Sequence, residues 1–144
     1  MSVALDANAV IYLFDATSPH HSVTERTFAQ IVSSGEPVWL FPAVIVAFLR
    51  VTTHPRLSSS PLSLEQAFEY LDTLLALPNV TVGFPDDSFV EQLRAAASLA
   101  SAGGNLIHDA EIVALMQQHG IEGILTADRD FLKFAGTEVR LLTI

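Results

Sequence analysis

SVALDANAVIYLF, Ser2 to Phe14, decides how the rest of the chain reads. Its opening residues are apolar enough for a buried strand, Asp6 follows at once, and Asn8 to Phe14 then sets Val10, Ile11 and Phe14 on one side of a short helix. Strand, polar rim, helix is a unit that recurs. PVWLF (37–41) reads as a second strand, and Pro42 opens a helix running to about Thr53, early enough that its missing N–H costs little. VTVGF (80–84), GILTA (123–127) and VRLLTI (139–144) read as three more strands. Between them, helical spacing covers Thr24 to Ser33, stopped by Gly35, Leu64 to Leu77, Asp87 to Ser101, and a segment capped by Asn105 that runs through His119. TSPHHSV (17–23) reads as a turn and LSSSPLS (57–63) as a surface loop, with Ser63 ahead of Glu65 and Gln66 marking a helix start. Strands separated by helices, and too apolar to be solvated on one face, specify an α/β fold. The expectation is a central, mainly parallel sheet of four to five strands with helices on both faces, a three-layer sandwich.

Length and composition bound this reading. A chain of 144 residues, 50% of them apolar, is the size of one domain with a core of its own. The longest apolar run, Val38 to Leu49, contains Pro42 and falls short of the roughly 20 residues that cross a bilayer, so no membrane segment is expected. MSVALDAN lacks the basic start of a secretion signal, and the chain has no cysteine for disulfides or thiolate zinc sites. Both are compatible with the cytoplasm. Sixteen acids against 7 Lys and Arg give a net charge of −9, which argues against holding nucleic acid by bulk electrostatics. Local arginines and cations gathered at an acidic pocket leave a nucleic-acid enzyme open.

In a parallel sheet, ligands collect beyond the carboxyl ends of the strands. Asp6 directly follows SVAL, Asp128 directly follows ILTA, and Asp109 lies one turn past Asn105 at the start of its helix. Acids from three distant parts of the chain would then converge on one edge. Converging carboxylates repel unless protonated or bridged, and an oxygen-only cluster suits Mg²⁺, with Mn²⁺ possible. Each acid alone has a plainer role open to it. Asp6 could cap the helix behind it, Asp109 could be solvated or answer the helix dipole, and in TADRDF either Asp128 or, preferably, Asp130 could cap a turn.

LDANAVIYLF, FLRVTTHPR, GNLIHDAEIVAL and LTADRDFLKF, in that order and at these separations, resemble the PIN-domain ribonucleases, specifically the VapC-type toxins of bacterial toxin–antitoxin pairs. The resemblance covers nearly the whole chain. It implies a PIN-like fold with a divalent-metal pocket where the acids meet, an activated water that attacks an RNA phosphodiester, and a cytoplasmic location. Asp6, Asp109 and Asp128 match the family's catalytic and metal-holding aspartates. Asn8 and Thr126 match polar residues lining the pocket, and Asp130 a more variable acid beside it. The resemblance also implies a homodimer and a cognate antitoxin whose tail reaches the acidic pocket, for which the helices at Leu64 to Leu77 or Ala9 to Phe14 could supply surfaces. Core packing accounts for those helices equally.

VIVAFLRV (44–51) departs from the family pattern, which usually has a glutamate directly before Phe-Leu-Arg; here the position is Ala47. Loss of one anion lowers repulsion within the cluster and also the field that holds a cation. Folding should survive, with nuclease activity weak or absent. A glutamate-to-alanine replacement that lets a toxic nuclease be expressed and a natural variation both account for Ala47, and the intact motifs favour the first. Of the basic residues, Arg50 within this segment and Arg129 after Asp128 could reach RNA phosphates, or serve only solubility. The five histidines have no metal-ligand spacing; His108, beside Asp109, is the one near the rim.

Other classes remain. A catalytically inactive PIN-fold protein that only binds an antitoxin differs in activity and not in fold. A phosphoacceptor signalling module also has an acidic Mg²⁺ pocket, but it needs paired acids early and a lysine late, where this chain has Asp6 alone and LTAD followed by Arg129. A haloacid-dehalogenase-like phosphatase needs an acid at the position of Asn8.

Overall fold

The structure, a computed structural model, describes residues 1–144. Five strands pair in the order β3-β2-β1-β4-β5, every pair parallel. They are β1 (Val3–Leu5), β2 (Val38–Leu40), β3 (Val80–Val82), β4 (Gly123–Thr126) and β5 (Glu138–Leu141). Helices α1 (Ala7–Phe14) and α2 (His21–Ser34) connect β1 to β2, α3 (Pro42–Thr53) and α4 (Leu64–Leu75) connect β2 to β3, and α5 (Phe89–Leu99) and α6 (Leu106–His119) return to β4. A short 3-10 turn at Arg129–Lys133 precedes β5. Right-handed crossovers place α1 to α4 on one face and α5 with α6 on the other, because the chain walks outward from β1 to β3 and then jumps back past β1. The sequence expectation of a covered parallel sheet therefore holds, and the direction of winding reverses between β1 and β4.

Burial explains why these short strands suffice. β1 and β4 are buried at every position, and β1 lies between β2 and β4 in register Val3 to Val38 and Val3 to Gly123. Phe41, Phe48 and Phe131 are the largest fully buried side chains. The capping box expected at Ser63 is present, its hydroxyl accepting from the Gln66 N–H while the Gln66 side chain accepts from the Ser63 N–H. No helix is long and apolar enough to cross a membrane.

Several boundaries differ from the sequence expectation by a few residues, and three of them show their cause. TSPHHSV is not wholly a turn: α2 starts at His21, a turn before Thr24, because the His20 ring stacks on Tyr12 at 4.5 Å and His21 Nδ1 bonds the Tyr12 carbonyl at 2.7 Å. β3 stops at Val82, after which Gly83 gives its N–H to Leu40 at the last residue of β2. β5 spans 138–141 instead of 139–144, since its neighbour β4 ends at Thr126, paired with Leu141. In each case a partner elsewhere in the chain sets the limit.

Arg140 of β5 donates from Nη1 and Nη2 to the two Glu36 carboxylate oxygens, at 3.1 and 2.6 Å, and from Nε to Glu138 at 3.0 Å. The guanidinium holds the Glu36 carboxyl below its usual range by hydrogen bonding, against the cost of desolvation. This fork ties the edge strand to the residue just before the β2 segment. Arg140→Ala is expected to destabilise the fold by about 2 kcal/mol in urea or thermal unfolding, the scale of charged hydrogen bonds made partly out of water.

Candidate active site

Winding reverses between β1 and β4, so the crevice past their carboxyl ends is the place where connections part and side chains can gather. Asp6 directly follows β1 and Asp128 lies two residues past β4. Asp6 is buried, 9% exposed, and both its oxygens are engaged. Oδ1 accepts the Ala7 N–H at 2.8 Å, while Oδ2 accepts from Thr126 Oγ1 at 2.7 Å and Asn8 Nδ2 at 3.1 Å. Burial still pushes its carboxyl up from the ordinary value, with the Asp128 charge adding to the effect and these hydrogen bonds opposing it. Thr126 and Asn8 thus lock the two strand ends together. Asn8 Oδ1 accepts the Ala127 N–H at 3.0 Å, and Thr126 Oγ1 accepts the Asp128 N–H at 2.9 Å.

Asp109, in the first turn of α6, faces the same crevice. Its carboxyl is pushed up to about 7, first by desolvation and then by the charges of Asp128, Asp6 and Asp130, with Lys133 opposing. Ligand oxygens of Asp109, Asp128 and Asp130 lie within 4.8 Å of one another, close enough to share one cation. The tightest oxygen set is therefore these three. Asp6, expected from sequence as a direct metal ligand with Asp109 and Asp128, is outside that set and adjoins it through its charge.

In TADRDF the turn cap is Asp128 and not Asp130, which the sequence reading preferred, although Asp128 also belongs to the cluster. Asp128 is the turn's cap, its Oδ1 accepting the Asp130 N–H at 2.9 Å, while Asp130 turns toward the cluster and pairs with Lys133 at 3.1 Å. The reason is the 3-10 turn, whose first free N–H belongs to Asp130 and so needs an acceptor two residues earlier. Asp6 likewise caps α1 while belonging to the rim, so capping and site membership are not alternatives.

Beside the acids a groove of about 660 Å³ runs over the ends of β1 and β2, between α3 and the start of α6. Asp6 and Asp109 line it, and so do Ala47 and Arg50, together with His108 and Glu111. Ala47 therefore stands on the wall opposite Asp109, half-buried. Arg129 is exposed and is not among the groove's lining residues. Glu111 was not foreseen: two residues past Asp109, it reads as an ordinary solvent-facing helix residue, and only its i,i+3 relation to His108 hints at a shared face. A separate cavity of about 240 Å³, between Phe14, Phe48 and the loop at Ser58 to Leu62, lies apart from the acids.

A sheet with this switch point and these acids has known counterparts. Residues 3–137 match the family model described as PIN domain, and the chain belongs to the PIN-domain family, in its VapC branch. It is 34% identical over 140 residues to Ribonuclease VapC48 of Mycobacterium tuberculosis, covering 97% of each chain, and 30% identical over 132 residues to Ribonuclease VapC37 of the same organism, covering 92% and 91%. In fold it resembles the crystal structure of Mycobacterium tuberculosis VapC20, described as a sarcin–ricin loop cleaving toxin, with a TM-score of 0.72 at 20% identity over 96% of this chain and 99% of that one. VapBC2 from Rickettsia felis, bound to a promoter DNA fragment, gives a TM-score of 0.73 at 11% identity over 99% and 100%.

Proposed function

We propose that the chain is an endoribonuclease toxin of a toxin–antitoxin pair, dependent on Mg²⁺ and weakened by alanine at position 47. One observation carries this reading: carboxylates from β1, α6 and the end of β4 meet at the switch point of a chain whose relatives are named ribonucleases. The donor set is all oxygen and strongly anionic, which fits a hard divalent cation. Asp109, Asp128 and Asp130 would hold it, with the hydrogen-bonded Asp6 adjoining them. When bound, the cation would supply charge neutralisation for the phosphodiester and a polarised water.

The chain's own groups do the remaining work. Asp6 is fixed at a set position by Thr126, Asn8 and the Ala7 N–H. Arg50, which lines the adjoining groove, would pair with a phosphate oxygen of the RNA. The wall where a glutamate would accept the proton of the attacking water ends at the Ala47 methyl, so that transfer lacks its base. Incubation of RNA with the purified chain should show slow cleavage in Mg²⁺ or Mn²⁺ and none in EDTA. Cleavage that persists in EDTA would remove the metal-dependent reading.

An antitoxin protein is the proposed partner, supported by the likeness to VapBC2 from Rickettsia felis and by exposed apolar side chains on α4, Leu64 and Phe68. A homodimer and a cytoplasmic location belong to the same reading. A catalytically silent PIN-fold protein remains the second reading, favoured by the single observation that Ala47 removes a carboxylate from the rim.

A further inference from the structure

The acids occupy one end of the groove and leave its length free. One wall is low, because Ala43 and Ala47 of α3 stop at Cβ, and it ends at the Arg50 guanidinium. Positions 43, 47 and 50 share a helix face. Opposite, His108 and Glu111 share a face of α6, three residues apart. Neither Arg50 nor Glu111 enters a salt bridge; the chain's ion pairs lie at His21–Glu25, Asp130–Lys133 and Glu36–Arg140–Glu138. Their charges are left to something outside the chain. The volume, about 660 Å³, is that of a small-ligand site. Because Asp6 and Asp109 belong both to the groove and to the acidic rim, whatever lies in the groove adjoins the reacting phosphate.

Resting on the ribonuclease reading, we propose that this groove seats the nucleobase next to the scissile phosphate and that Glu111 reads it, selecting guanine. A carboxylate only accepts hydrogen bonds, and it has two oxygens to do so. Guanine offers it two neighbouring donors on the Watson–Crick edge, N1–H and the N2 amino group, for a pair of parallel N–H···O bonds. Adenine and cytosine each set one amino donor beside a ring-nitrogen acceptor, and uracil sets its imino donor between two carbonyls, so each presents a repelling lone pair to the second oxygen. The His108 ring supplies a face for base stacking, which favours no particular base. Arg50 pairs with the adjoining phosphate.

The test is fluorescence anisotropy with four labelled heptanucleotide RNAs of uridine that differ only in a central G, A, C or U, with Ca²⁺ in place of Mg²⁺ so that the RNA stays intact. The guanine-bearing RNA is expected to bind on the order of tenfold tighter than the other three, the size of one good bidentate base contact. Glu111→Gln should remove the guanine preference, its amide setting a donor beside an acceptor that suits adenine or cytosine instead, while His108→Ala weakens all four together. Binding without base preference, or a guanine preference that survives Glu111→Gln, overturns the base site and leaves the ribonuclease reading standing. No binding to any of the four, joined with no RNA cleavage by the Ala47→Glu variant, removes both.

Discussion

Ala47→Glu is expected to raise Mg²⁺-dependent RNA cleavage by 10²-fold or more, on the order of what a well-placed general base contributes. Position 47 lines the groove that Asp6 and Asp109 also line, so a carboxylate on this wall reaches toward the space between them. The change should not disturb the core. Ala47 is half-buried against open groove, and the neighbour that anchors α3, Phe48 at 1% exposure, points the other way. A fourth anion also adds repulsion to a rim that already pushes Asp109 up to about 7, so the variant should be less stable than the parent without metal and gain more from Mg²⁺. Cleavage that stays at the parent's level across a Mg²⁺ titration, with the fold intact by circular dichroism, would reject the role given to this position and leave the binding-only reading.

Asp109→Asn, made in the Ala47→Glu background where there is activity to lose, is expected to lower cleavage by about 10²–10⁴-fold, since both cation binding and charge placement depend on this carboxylate. Its effect on stability runs the other way. The Asp109 carboxyl is pushed up from 3.8 to about 7 in the fold, so between those values the folded metal-free protein binds more protons than the unfolded chain. The stability this contributes is fully present below the unfolded value and is lost as pH rises through about 7. Asparagine cannot ionise and escapes the loss. The metal-free Asp109→Asn variant should therefore unfold at or above the temperature of its parent at pH 8, with the difference shrinking toward pH 5. Mg²⁺ at about 100 times its dissociation constant stabilises by about 2.7 kcal/mol, so it should raise the parent's melting temperature by roughly 5–10 °C at pH 8 and the variant's by far less. Proton and cation compete for the same oxygens, and the Mg²⁺ increment should fade below pH 7. An increment equal at pH 6 and pH 8, or unchanged in Asp109→Asn, would place the cation elsewhere.

Much of the scaffold was open to reading because its cause is local. A run such as ILTA, apolar but for Thr126 and followed by Asp128, has few other ways to satisfy itself than as a buried parallel strand. Gly35 and Gly120 end their helices with φ of +72° and +66°, a conformation that side chains disfavour, and they were visible as stops for that reason. The limits of α2, β3 and β5 were less visible, since Tyr12, Leu40 and Thr126 set them from far along the chain. At the site, the sequence placed Asp6, Asp109, Asp128, Asn8 and Thr126 at one rim. It preferred Asp130 over Asp128 as the turn cap and passed over Glu111.

What the sequence determined by itself is the alternation of apolar strands with amphipathic helices, and hence a covered parallel sheet with acids beyond its strand ends, because periodicity and burial act within a few residues. Only the tertiary structure decided which oxygens lie near each other, that Asp6 is fully engaged by Thr126 and Asn8 while Asp130 joins the cluster, and that the Ala47 wall faces Glu111 across a groove. Those facts depend on distances between residues on different elements, 120 positions apart for Asp6 and Thr126, and electrostatic coupling follows distance in space and not order along the chain.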